Sequence, residues 1–137
     1  MILVDTGPLV ALFNPKDHHH LHCRTILQSL REPLLTTTPV LTEAFHLLQP
    51  GSKSALALGA FVQKKGISVW QIDDECLIKA LLLMEKYADK PMDFADASLV
   101  TAAQALDIQR IFTIDRNDFL AYRITFGHSF KHFELIN

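Results

Sequence analysis

The stretch from Lys90 to Phe119, KPMDFADASLVTAAQALDIQRIFTIDRNDF, decides the fold of this 137-residue chain. Its pattern predicts a helix followed by a β-branched, apolar strand. Asp93 and Asp96 lie in the first turn of that helix, and Asp115 and Asp118 lie just beyond the strand's end. Helix starts and the carboxyl ends of parallel strands share one rim of an α/β sheet, where ligands bind. We therefore expect these acids to converge there on a divalent metal ion.

The composition is that of one globular domain. Apolar residues make up 49% of the chain and charged residues 20%, with no repeat and no low-complexity tract. The formal charge of −2 argues against a generally basic nucleic-acid binder. It leaves room for a nuclease, because metal ions neutralise phosphate locally. Cys23 and Cys76 are isolated, and we expect both to be reduced.

No targeting segment is evident in the sequence. The start, MILVDTGPLV, has an acid at position 5 and no basic region, so we do not expect a signal peptide. The apolar runs at Ala55–Val62 and Leu81–Met84 are too short to span a membrane. The expected compartment is the cytoplasm.

Short apolar runs alternate with longer amphipathic stretches along the rest of the chain. The predicted strands are Met1–Asp5, Leu34–Thr38, Ile67–Ile72, Arg110–Ile114 and a last, edge-type strand, Phe130–Leu135. The predicted helices are Pro8–Phe13, His18–Glu32 capped by Asp17, Pro39–Leu48, Ala55–Lys65, Asp74–Ala88, Asp93–Leu106 and one turn at Asp118–Tyr122. Strands that alternate with helices through short loops predict an α/β fold with a mostly parallel sheet.

Each acid also has an ordinary structural explanation. Asp5 ends the first strand, and with Thr6 it is good chemistry for a turn or helix cap ahead of Pro8. Thr6 is equally a candidate contact for phosphate or water. Glu43 interrupts an apolar helix stripe, either as a solvated boundary residue or as a carboxylate aimed at a shared site.

The remaining acids divide in the same way. Asp93 is well explained as a cap, whereas Asp96, flanked by alanines, is less so, and we favour a functional role for it. Asp115 comes directly after its strand, as Asp5 comes after the first strand. Asp118 is either a site residue or a cap for the turn that contains Phe119 and Tyr122. Acids at two strand ends, together with two on helices, are hard to attribute to local structure alone.

A cluster of carboxylates needs a cation, because unpaired carboxylates a few ångströms apart repel strongly. Oxygen ligands suit Mg²⁺ or Mn²⁺, which lower the pKa of a bound water and hold a phosphodiester for attack. No Walker loop or GxGxxG sequence is present. The run His18–His22 is expected to be a solvated helix start, and Arg116 either contacts phosphate or is an ordinary surface charge.

Three stretches of the chain together resemble the PIN-domain family. They are VDTGPLVALF at 4–13, LTEAFHLL at 41–48 and DFADASLVTAAQALDIQRIFTIDRNDF at 93–119. Their order and spacing cover essentially the whole chain. Within the family the chain resembles the compact VapC-like ribonuclease toxins of type II toxin–antitoxin systems.

The resemblance implies both a fold and a set of site residues. The family's four acids match Asp5, Glu43, Asp96 and Asp115, with Thr6 as the adjoining hydroxyl and Asp93 and Asp118 as accessory metal ligands. It implies a three-layer α/β/α fold and Mg²⁺- or Mn²⁺-dependent endoribonuclease activity. It further implies a homodimer and a small, VapB-like antitoxin whose tail occupies the active-site groove.

Three other functions remain open at this point. The chain could be a PIN-domain RNA-processing nuclease that is not a toxin. It could be a non-catalytic PIN-like binding module whose acids serve as caps and turn residues. It could also be a phosphotransfer domain with Asp5 as nucleophile, although no supporting lysine motif is present.

Overall fold

The computed structural model describes residues 1–137, which form seven strands and seven helices. The strands are β1 (Ile2–Val4), β2 (Leu34–Thr37), β3 (Ser68–Trp70), β4 (Arg110–Phe112), β5 (Arg123–Phe126), β6 (Ser129–His132) and β7 (Glu134–Ile136). The helices are α1 (Thr6–Phe13), α2 (His20–Ser29), α3 (Thr38–Leu48), α4 (Lys53–Gln63), α5 (Asp74–Lys86), α6 (Phe94–Leu106) and α7 (Arg116–Ala121).

Five strands form a parallel central sheet in the order β3-β2-β1-β4-β7. Strand β1 lies in the middle, where Leu3 pairs with Leu35 on one side and Ile111 on the other. All three residues of β1 are buried, which explains its uninterrupted apolar sequence. Helices flank the sheet, so the α/β prediction with a mostly parallel sheet is confirmed.

Helix α6 is the most deeply buried helix, and its small residues explain why. Ala95 and seven consecutive residues, Ala97–Ala103, are buried. Alanine and serine at these positions let the helix backbone approach its neighbours closely, and α6 packs against α5, α3, β2 and β5. The start of α6, which carries Asp96, is therefore held in a fixed place.

The predicted last strand, Phe130–Leu135, is wrong as a single element. The chain forms a hairpin, in which β5 and β6 pair antiparallel, and then a separate strand β7 beside β4. Phe133 lies between β6 and β7 and is buried. The hairpin was missed because each of its strands has only four residues, too few for a clear alternating pattern, and because only Gly127, at φ 60°, signals its two-residue turn.

Helix α2 also begins later than predicted. The Asp17 carboxylate accepts a hydrogen bond from the His19 backbone N–H at 2.8 Å, which forms a turn rather than a cap on the helix. His19 then occupies the cap position with no side-chain bond, and α2 begins at His20. Neither Cys23 nor Cys76 forms a disulfide. No helix has both the length and the apolar character needed to cross a bilayer.

Candidate functional site

A cavity of about 570 Å³ opens at the carboxyl ends of β1 and β4. Its wall includes seven acidic residues: Asp5, Asp17, Glu43, Asp93, Asp96, Asp115 and Asp118. Thr6 and His19 also line it. Every acid that the sequence singled out therefore faces the same space. Arg116 does not line it, and instead faces a smaller neighbouring cavity together with His22.

Asp5 is held at the bottom of the site by two strands. Its backbone N–H donates to the Phe112 carbonyl at 3.0 Å, which continues the pairing of β1 with β4. One carboxylate oxygen, Oδ1, accepts from the Thr6 N–H at 2.8 Å, and the other, Oδ2, accepts from the Thr113 hydroxyl at 2.8 Å. Asp5 is thus both a helix cap and a wall of the cavity, so its structural explanation does not exclude a functional one.

Thr113 joins two of the acids. Its hydroxyl donates to Asp5, and the same oxygen accepts from the Asp115 backbone N–H at 3.0 Å. Asp115 in turn caps α7, because its Oδ1 accepts from the Asp118 N–H at 3.4 Å. The loop after β4 is therefore held to the end of β1 through one hydroxyl group.

Asp96 enters the cavity from the first turn of α6. Asp93 caps this helix by accepting from the Asp96 N–H at 2.8 Å. The Asp96 side chain itself accepts a hydrogen bond at Oδ2 from the buried Tyr122 hydroxyl at 2.8 Å. Glu43 approaches from the middle of α3 and is half-buried.

The cavity disfavours negative charge. Burial raises the pKa of Asp5 to about 6, against the lowering effect of its bonds from Thr113 and Thr6. Burial, and then the charge of Asp5, raise the pKa of Asp96 to about 8, although the Tyr122 bond lowers it. Burial and the neighbouring Asp115 raise the pKa of Asp118 as well. A cation placed among these groups would favour their ionised forms.

The residues present fit a hard divalent cation. The donors are all oxygens, and Thr6 Oγ1 is a buried polar atom without a hydrogen-bond partner at the cavity wall. No three His, Cys, Asp or Glu side chains are arranged closely enough to form a ligand group. Mg²⁺ usually keeps several of its waters, so direct ligation by only one or two of these carboxylates is compatible with the wider spacing.

Four residues of the site were missed by sequence reasoning. Thr113 and Tyr122 hold acids in place, and Asp17 and His19 line the cavity. Thr113 had a signal, since it lies at the end of a strand two residues before Asp115. No sequence signal pointed to Tyr122, because it lies 26 residues beyond Asp96 and only the folded chain brings the two together.

Comparison with known proteins places this architecture among known folds. A family model described as the PIN domain matches residues 2–125. The sarcin-ricin loop-cleaving toxin VapC20 of Mycobacterium tuberculosis is similar in structure, with a TM-score of 0.79 and 24% identity over 85% of this chain and 92% of that one.

Two solved complexes are also similar. A toxin–antitoxin complex from Klebsiella pneumoniae matches with a TM-score of 0.68 and 16% identity, over 88% of this chain and 92% of that one. VapBC2 from Rickettsia felis, bound to a DNA fragment from its promoter, matches with a TM-score of 0.59 and 12% identity, over 85% of this chain and 90% of that one. A search of curated proteins finds no match. At these identities the structural likeness establishes the fold.

Proposed function

This chain belongs to the PIN-domain family, and from that premise we propose that it is a Mg²⁺- or Mn²⁺-dependent endoribonuclease, the toxin of a type II toxin–antitoxin pair. One observation carries the proposal. Asp5, Glu43, Asp96 and Asp115 come from four separate parts of the chain and line a single cavity. An assembly of this kind is costly unless a cation offsets the charge repulsion.

Asp5, Glu43, Asp96 and Asp115 would hold the metal, one or two of them directly and the others through its waters, with Asp93 and Asp118 as accessory ligands. A divalent ion bound there supplies a water of lowered pKa and neutralises the charge of the phosphodiester. The chain's own residues do the positioning. Thr113 orients Asp5, and Tyr122 orients Asp96. The free Thr6 hydroxyl is available to the metal's water or to a phosphate oxygen.

The toxin assignment is supported by the structural relatives, which include a toxin and two toxin–antitoxin complexes. We propose a small, VapB-like antitoxin whose tail occupies the acidic cavity, and an RNA substrate cleaved in the cytoplasm. Arg116, outside the cavity, would contact phosphate at its margin. Expression in a bacterial host tests the toxin role. Growth should stop with the wild-type chain and continue with Asp5→Asn, whereas an RNA-processing nuclease that is not a toxin would leave growth unaffected.

We also propose a homodimer. It is supported by three exposed apolar side chains on α5: Ile78, Leu81 and Leu82 are 57%, 45% and 57% exposed. The exposure of Leu81 widens this apolar patch. Light scattering should give twice the monomer mass for the wild type and the monomer mass for Leu82→Glu. A monomeric wild type would contradict the proposal.

The nuclease activity has a direct test. The purified chain, free of any antitoxin, is incubated with structured RNA in Mn²⁺ and in chelator, beside Asp5→Asn and Asp96→Asn. We expect cleavage only by the wild type and only with metal. Cleavage that persists in chelator would disprove metal dependence, and no cleavage of a broad RNA pool would disprove the enzyme assignment. A trapped phosphoaspartate at Asp5 would instead favour phosphotransfer.

A further inference from the structure

The β5–β6 hairpin holds a surface strand in a fixed position. Its inner strand β5 is anchored, because Ile124 is fully buried and the Arg123 backbone N–H donates to the Tyr87 hydroxyl at 3.0 Å. All four residues of the outer strand, Ser129–His132, are exposed. A tight turn with Gly127 at φ 60° joins the two strands. The outer strand is thus presented to solvent on a rigid support.

This strand carries an exposed aromatic ring and one lysine, and a second lysine approaches it from α5. Phe130 is 62% exposed, and the Lys86 ammonium lies 5.3 Å from the centre of its ring. Next to it, the Lys131 ammonium lies 4.5 Å from the ring centre of Phe126. We call Lys86, His128, Phe130, Lys131 and His132 the hairpin platform. Exposed aromatic rings with flanking cations are the contacts that proteins use for single-stranded nucleic acid.

The charge of the hairpin contrasts with that of the cavity. No Asp or Glu occurs between Asp118 and Glu134, whereas the chain as a whole has a net charge of −2. The Arg123 guanidinium is already engaged by the carbonyls that end α7. Lys86 forms no ion pair with an acid, whereas the Lys131 ammonium lies 3.9 Å from Asp107 Oδ1. That ion pair is solvent-exposed, so a phosphate can replace Asp107 at little cost. A cavity lined by seven acids repels phosphate, so a polyanionic substrate needs an attachment point elsewhere.

The platform is connected to the acidic cavity by direct contacts. Asp96 accepts from Tyr122, and the Tyr122 ring lies 5.1 Å from the ring of Tyr87. The Lys86 ammonium lies 5.4 Å from the centre of that second ring and bridges it to Phe130. Three side chains, Tyr122, Tyr87 and Lys86, therefore link the wall of the cavity to the platform.

We propose that the hairpin platform binds the single-stranded part of the RNA substrate that flanks the cleaved bond. One base stacks on Phe130, while Lys86 and Lys131 contact neighbouring phosphates. The proposal rests on the proposed function for the identity of the polyanion as RNA. A peptide pairing with the open edge of β6 is the competing occupant, and the exposed Phe130 ring with Lys86 and Lys131 nearby favours the nucleic acid.

The test measures binding without cleavage. A mixed-sequence single-stranded oligoribonucleotide of about 20 nucleotides is titrated in chelator with the full chain and its variants. Phe130→Ala removes the ring, Phe130→Trp keeps it, and Lys131→Ala removes a phosphate contact. The matched controls are Leu56→Ala, an exposed apolar residue on α4, and Lys64→Ala, an exposed lysine at the end of that helix.

We expect Phe130→Ala to raise Kd about tenfold and Phe130→Trp to stay within about twofold of the wild type. Lys131→Ala should weaken binding and reduce the salt dependence by about one phosphate contact. The proposal is overturned if Phe130→Ala binds like the wild type, or if the controls weaken binding equally. Failure of the proposed function looks different, because the wild type would then bind RNA through Phe130 and still cleave none in Mn²⁺.

Discussion

Tyr122 donates its hydroxyl hydrogen to Asp96 Oδ2 across 2.8 Å, although 26 residues separate the two along the chain. The phenol is buried and packs edge-on against Tyr87 and Phe119, so it has little freedom to move. Burial and the neighbouring Asp96 raise the pKa of Tyr122, which keeps the phenol a donor at all physiological pH values. One oxygen of Asp96 is thereby oriented, and the other is left available to a cation.

Removing this hydroxyl should weaken metal binding. In Tyr122→Phe the Asp96 carboxylate loses the bond that lowers its pKa, so protons compete better with the ion. We expect the Mn²⁺ dissociation constant to rise by about 10-fold or more, which is typical when an outer hydrogen-bond partner is lost. Calorimetric titration with Mn²⁺ measures it.

Tyr87→Phe is the matched control for that measurement. It also removes a phenol hydroxyl, but one that bonds the Arg123 backbone and not an acid of the cavity. It should lower the melting temperature. Its Mn²⁺ affinity should stay within about twofold of the wild type, a much smaller change than the roughly 10-fold loss expected for Tyr122→Phe. Equal losses of affinity in both variants would contradict a specific role for Tyr122.

Asp96→Asn should lower RNA cleavage and raise the stability of the metal-free protein. The amide carries no charge, so it avoids the burial and repulsion that raise the pKa of Asp96. We expect RNA cleavage to fall by about 100-fold or more, because a metal ligand is lost. The metal-free variant should melt a few degrees above the metal-free wild type at pH 8, as is common when a strained active-site group is removed. A lower melting temperature would show that Asp96 stabilises the fold.

The stability of the metal-free protein should fall as pH rises. The pKa values of Asp5 and Asp96 in the folded chain, about 6 and about 8, lie above the unfolded value of about 4. The folded state therefore binds more protons between those limits, and the free energy of unfolding decreases from about pH 4 to about pH 8. The contribution of Asp5 alone is on the order of 3 kcal/mol, at about 1.4 kcal/mol per pKa unit.

Thermal melts between pH 5 and pH 8.5 measure this effect, with chelator in one series and Mn²⁺ in the other. Mn²⁺ binds the ionised carboxylates, so its stabilising effect should grow with pH. The double variant Asp5→Asn, Asp96→Asn should have a flatter pH profile and no response to Mn²⁺. A wild-type profile that matches the double variant would refute the assignment.

Thr113→Val should loosen both Asp5 and Asp115. Valine keeps the shape of threonine but leaves the Asp5 carboxylate and the Asp115 N–H without their shared partner. We expect a loss of about 1–3 kcal/mol in the free energy of unfolding, together with reduced cleavage. Denaturant unfolding measures the first. Thr113→Ser retains the hydroxyl and should preserve most of the stability and most of the cleavage activity. If Thr113→Ser loses as much as Thr113→Val, the effect comes from packing and not from the hydroxyl.

Much of the fold was predictable because its signals are local. The apolar run of β1 and the small residues of α6 each specify their element through near neighbours in the chain. The cap at Asp93 likewise follows from local chemistry, whereas the cap of α7 is Asp115 and not Asp118, the candidate that the sequence offered. The hairpin was not predictable in this way. Each of its strands has only four residues, and its inner strand pairs with β6 and also packs on α6, an element formed earlier in the chain.

The sequence by itself determined the order of the elements and which acids stand at strand ends and helix starts. Only the tertiary structure decided that Thr113 reaches Asp5 from 108 residues away, that Tyr122 holds Asp96, and that Arg116 lies outside the cavity. The physical reason is the range of the interactions. Periodicity and capping act over a few residues, whereas the pairing of β1 with β4 and the packing of β5 on α6 bring together side chains whose separation in the chain carries no information.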